Sequence, residues 1–104
     1  MTESKTASPT RGVESCIRQV FAENAAITED ELFSDGMTLA MVIARSPRMT
    51  NSIDLMEAFA RTANAVRKDY GARVRLPALP LDTPTSTVLA LFLDEFDRQG
   101  RGTA

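Results

Sequence analysis

The sequence predicts an all-α domain, a small four-helix bundle with a long first loop. Three observations carry that prediction. Apolar residues recur at helical spacing in three long segments. Glycine and proline fall singly at the joints between them. The one short alternating stretch, Arg73 to Leu76, has no second alternating segment to pair with. The 104 residues, 43% hydrophobic and 25% charged, fit one soluble domain. Folding a chain of this mass hides roughly 65% of its extended surface, enough for one core.

Residues 1–10 show no periodicity and are expected to form a flexible tail. From residue 11 to about residue 24, Val13, Ile17, Val20 and Phe21 recur at helical spacing, with Glu14, Arg18 and Glu23 on other faces. Cys16 stands one turn before Val20 and reads as a small core residue rather than a reactive thiol. Thr28 to Glu31 has the spacing of a capping box ahead of Leu32 and Phe33, and Ser34-Asp35-Gly36 reads as a turn. Met37 to Ala44 is almost wholly apolar. It reads as a short buried helix, although periodicity alone also permits a strand. Pro47 pushes Ser46 out of the α region and ends it.

The clearest helix runs from Ser52 to Tyr70. Asn51 and Asp54 have capping spacing, and Asp54 and Glu57 put negative charge in the first turns, where the helix dipole favours it. Met56, Phe59, Ala63, Val66 and Tyr70 form a 3,4,3,4 apolar seam, and Gly71 supplies the stop. Residues 72–82 read as an extended crossing loop whose Val74, Leu76, Leu79 and Leu81 plug the core. Thr83 as N-cap with Pro84 as first helical residue starts the last helix. Its face is Val88, Leu89, Phe92 and Phe96, and it ends near Arg98. The domain thus covers residues 11–98, with a frayed tail at 99–104.

The chain contains no histidine and one cysteine. That removes the usual general base, the usual zinc ligand and every Ser–His or Cys–His nucleophile pair. Ordinary hydrolase chemistry is therefore not expected, nor is an internal disulfide. Glu29, Asp30, Glu31 and Asp35 lack the ligand order of a calcium loop and read as a solvated acidic segment. No glycine-rich phosphate loop is present. Twelve basic against fourteen acidic residues give a net charge of −2, without the basic excess of a nucleic-acid binder. The longest apolar run, Leu39 to Ala44, is too short to span a bilayer, and the first twelve residues have no apolar signal region. That run reads as core before it reads as a partner strip. Arg73 and Arg75, flanking Val74, are placed to touch an anionic cofactor, though solvated arginines are the commoner case.

One arrangement stands out. Thr50-Asn51-Ser52-Ile53-Asp54-Leu55 puts a serine at the start of a long helix, after a proline-containing loop. This stretch resembles the phosphopantetheine attachment segment of acyl and peptidyl carrier proteins, usually Asp-Ser-Leu at the start of the second helix. Here it is Asn51-Ser52-Ile53, followed by Asp54, Met56, Glu57 and Phe59. Lys68 to Gly71 is similar to the end of that helix, Arg75-Leu76-Pro77 to the extended piece after it, and Leu81 to Thr85 with Val88 and Leu89 to the entry of the last helix. The likeness covers about residues 11–98. The departures are Pro47-Arg48-Met49 where a glycine usually precedes the serine, Asn51 in place of aspartate, a longer first loop and a second helix about one turn longer.

The resemblance implies a bundle of acyl-carrier type. It implies 4'-phosphopantetheine, transferred from coenzyme A to Ser52 by a phosphopantetheinyl transferase. The chain would be a free-standing carrier rather than an enzyme. Its arm would hold an acyl or aminoacyl thioester, loaded by an activating ligase and delivered to synthases or transferases. Asn51, Ile53, Asp54, Met56, Glu57 and Ala60 would meet those partners, through apolar contact plus charge steering. Met56 reads equally as core. Arg61, Arg67 and Lys68 make the helix less acidic than in common fatty-acid carriers, which points to secondary metabolism or to aminoacyl cargo. A cytoplasmic monomer is expected. Without the resemblance, Ser52 is an ordinary helix-start serine, and the same bundle serves as a helical adaptor with no prosthetic group.

Overall fold

The computed structural model describes residues 9–102, with side chains from 12 to 98. Five helices follow one another: α1 (Pro9–Ala25), α2 (Glu29–Leu32), α3 (Leu39–Arg45), α4 (Ser52–Tyr70) and α5 (Thr85–Gly102). Among the described residues the regular structure is all helical, apart from one isolated antiparallel bridge between Thr38 and Pro84. Three of the five are long and two are short, so the first loop of the expected four-helix bundle holds two helices of its own.

The period-3.6 pattern of α1 places Val13, Ile17 and Phe21 fully inside, while Val20 is half-buried at the seam's edge. The helix ends in a Schellman motif. Ile27 N–H donates to Ala22 O and Ala26 N–H to Glu23 O, with Ala26 at φ 56°. Thr28 then caps α2 by accepting from Glu31 N–H at 3.3 Å. The return half of the expected capping box is replaced by a long-range contact, because the Glu31 carboxylate pairs with Arg45 at 3.1 Å. Thr38 caps α3 in the same way as Thr28 caps α2, and Leu39 and Val42 bury its inner face.

α1 packs chiefly on α4 and then on α5. Phe59 on α4 joins the other two helices, its ring 5.4 Å from Phe21 and 6.3 Å from Phe92. These separations suit tilted and edge-to-face aromatic packing. Leu55, Ala58 and Val66 complete the α4 side, and Val88 and Phe92 the α5 side.

Several expectations are corrected. The buried stripe of α4 is Leu55, Ala58, Thr62 and Val66, one position round from the seam through Met56 and Tyr70, which are exposed. Thr62 can sit inside because its hydroxyl donates to Ala58 O at 2.8 Å, which satisfies it. Cys16 is half-buried rather than core, with its sulfur 4.0 Å from Asp69 Oδ2. Leu81 is exposed, so Val74, Leu76 and Leu79 alone cover the core from the crossing segment.

α5 begins at Thr85 rather than Pro84. The cause is tertiary: Thr85 N–H donates to Met37 O at 2.8 Å and its buried hydroxyl to Leu32 O at 2.7 Å, tying the helix start to the first loop. The helix continues to Gly102, so residues 99–102 are helical rather than frayed. Residues 9 and 10 likewise belong to α1. The tails expected at 1–8 and 103–104 lie outside the described residues.

Candidate functional site

Ser52 is the first residue of α4, and its neighbour Asn51 makes it so. Asn51 is extended, at φ −157° and ψ −179°. Its Oδ1 accepts from Ile53 N–H at 2.9 Å and from Asp54 N–H at 3.2 Å. Asp54 bonds chiefly one residue further back than Asn51, whose own N–H gives the carboxylate a weaker contact. Its Oδ2 accepts from Thr50 N–H at 2.8 Å and from the Thr50 hydroxyl at 3.0 Å. These bonds, the backbone one first, hold the Asp54 carboxyl below the usual carboxylate range. The turn before Ser52 is thus fastened from both sides by short local bonds.

The side chain of Ser52 is exposed, and its hydroxyl enters no hydrogen bond with the described residues. A free hydroxyl on a rigid first turn is open to a visiting protein. The helix end does not offer a full set of N–H donors, however. Asn51 takes two of them, and the Leu55 N–H turns to Asn51 O at 3.4 Å. A phosphate attached here would meet the dipole's positive end without those N–H groups.

The other expected site residues cluster round Ser52. Ile53 is 66% and Met56 58% exposed, which settles Met56 as surface rather than core. Two large apolar side chains left open one turn apart, with exposed Glu57 beside them, form an apolar patch with an acidic margin. Ala60 is exposed two turns further along.

A groove of about 540 Å³ opens beside Ser52, between α4 and the crossing segment. This size is typical of small-molecule sites. Met56, Ala60 and Ala63 form its α4 wall, Leu76 and Leu79 the opposite wall, and Phe59 and Phe92 reach its floor. It exists because residues 72–80 run extended past α4 with small alanines facing them, leaving space that larger side chains would fill. The sequence held a partial signal for it, in the spacing of Ala60 and Ala63 on the stripe from Ser52. Nothing local marked the crossing segment as the second wall.

A second, shallower pocket of about 320 Å³ continues the groove. Ala60, Ala63, Val74 and Arg75 border both, and Arg67 and Arg73 border the second alone. In the acidic segment of the first loop, two carboxylates are engaged by arginines. Glu29 pairs with Arg18 at 3.4 Å and Glu31 with Arg45, and no metal-ligating cluster occurs among the described residues. No helix among them is long and apolar enough to cross a membrane.

No family model, no curated protein and no solved structure matches the chain.

Proposed function

We propose that the chain is a free-standing carrier protein, with Ser52 as the attachment point of a 4'-phosphopantetheine arm. The observation that carries the reading is the placement of Ser52: an exposed, unbonded hydroxyl at the first residue of a nineteen-residue helix, at the mouth of an apolar groove. The residues present fit such a group. The hydroxyl is accessible, and Asp54 is drawn back towards Thr50. The groove offers an apolar lining of the kind an acyl chain would leave water for. When attached, the arm would supply a terminal thiol able to hold an acyl or aminoacyl group as a thioester.

The chain's own contribution is positional. Asn51 holds the first turn so that residue 52 faces outward. Ile53 and Met56 offer a visiting transferase, ligase or synthase an apolar contact, and Glu57 and Asp54 offer a charge margin that steers it. Nothing in this role needs a general base, in keeping with a chain without histidine.

Intact mass after incubation with coenzyme A and a broad-specificity phosphopantetheinyl transferase tests the reading. The expected result is a gain of one phosphopantetheine that is absent in Ser52→Ala. A folded chain that gains nothing refutes it. The adaptor reading then takes its place, favoured by the exposed Ile53–Met56 pair, which suits a protein partner whether or not Ser52 is modified.

A further inference from the structure

The apolar groove and the arginine-bordered pocket adjoin, sharing Ala60, Ala63, Val74 and Arg75, and together they form a channel whose two ends differ in chemistry. Ser52, Met56, Ala60, Ala63 and Arg67 follow one another at helical spacing along α4, all bordering one pocket or the other. Fifteen residues of rise separate the ends, about 22 Å. The near end and the middle are lined mostly by apolar side chains. At the far end Arg67 and Arg73 border the second pocket alone, and Arg75 borders both.

These three arginines are poorly neutralised. Arg18, Arg45 and Arg98 each pair with a carboxylate. Arg67 instead donates to the neutral Asn64 Oδ1 at 3.0 Å, and neither Arg73 nor Arg75 forms an ion pair with any described residue. The chain as a whole is acidic, at −2. Three like charges round one pocket repel each other, and an anion placed among them relieves that repulsion. Guanidinium groups favour carboxylates in particular, through forked charge-assisted hydrogen bonds.

We infer that the channel takes an apolar chain ending in a carboxylate, with the carboxylate among Arg67, Arg73 and Arg75 and the chain lying over Ala63 and Phe59 towards Ser52. This deepens the carrier reading, in which the occupant is a carboxyl-ended acyl cargo on the Ser52 arm. The same channel chemistry serves a free amphipathic carboxylate.

Calorimetric titration of the unmodified chain with octanoate and with neutral 1-octanol tests the channel without any arm. Octanoate is expected to bind about tenfold more tightly, the effect of added hydrogen bonds to a charged group. Its affinity should fall with added salt while that of octanol does not. Arg73→Gln with Arg75→Gln, both exposed positions, should cut the preference severalfold, to what Arg67 alone supports, and Ser52→Ala should leave it intact. Circular dichroism checks that the double variant is folded. Equal binding of the two probes, no binding of octanoate, or a preference undiminished in the double variant overturns the inference.

The source is separated by loading Ser52 with octanoyl or with octanedioyl cargo. Amide shifts at residues 73–76 with the diacid alone assign the arm's cargo. Octanoate binding without such shifts assigns a free ligand. Failure to load Ser52 refutes the carrier reading and leaves the octanoate result standing.

Discussion

At the scale of single residues, the two that decide the site do opposite things. Asn51 is structural: its side chain satisfies two N–H groups of α4. Asn51→Ala should cost about 1 kcal/mol, read as a fall in the urea midpoint. Asn51→Asp keeps an accepting oxygen and adds charge the dipole favours, so it should unfold near the parent midpoint. Ser52 stabilises little, since its hydroxyl bonds nothing among the described residues. Ser52→Ala should leave the midpoint within about 0.5 kcal/mol, so a loss of modification in that variant reports chemistry and not unfolding. Ala26 is a third case. It holds φ 56° at the end of α1, where glycine is the usual residue. Ala26→Gly should raise stability by a few tenths to about 1 kcal/mol, the relief of left-handed strain less the entropy of the freer unfolded chain. A lower melting temperature would count against this account of the turn.

At the scale of elements, α4 was the most legible. Its nineteen residues, its Asn51 cap and its Gly71 stop in the left-handed region are all local signals. The two short helices were legible through Thr28 and through the apolar run after Met37. What stayed hidden was set by distant partners. Met56 was ambiguous because nothing in α4 says that residues 72–80 leave it uncovered. Thr62 escaped because a threonine enters the core only when its hydroxyl is satisfied, a bond invisible in an apolar pattern. The start of α5 slipped by one residue because Met37 and Leu32, far off in the chain, tie down Thr85. The first turn of α4 also carries a pH dependence with a definite sign. The Asp54 carboxyl lies below its unfolded value, about 3.9, because Thr50 donates to the ionised form. A lowered folded value stabilises above the unfolded value and is lost as pH falls through the folded one. Urea midpoints should therefore drop between pH 5 and pH 3 more steeply in the parent than in Asp54→Asn. Parallel curves would remove Thr50–Asp54 as the cause.

At the scale of the molecule, the three long helices share one core, while the channel's outer wall hangs outside their hydrogen-bonded frame. Phe21, Phe59 and Phe92 join α1, α4 and α5, so the bundle should unfold as one unit. The crossing segment is different. Its Val74 is buried, and Leu76 and Leu79 lie against the core. Its backbone, however, is anchored chiefly at its ends. Gly71 N–H donates to Arg67 O, and Leu81 O and Thr83 O accept from Ala40 and Leu39. Side-chain burial without a backbone ladder permits local opening well below the global unfolding energy. Amide hydrogen exchange is thus expected to be slowest in α1 and α4 and fastest, among the interior parts of the chain, at residues 73–79. Prolines 77 and 80 have no amide hydrogen to report. A chain lying in the channel would pin Leu76 and Leu79 from the inner side, so octanoate should slow exchange at 73–79 while leaving the slowest α1 amides almost unchanged. Uniform slowing across all helices would mean that the ligand acts on global stability, and that the segment is not a separately moving wall.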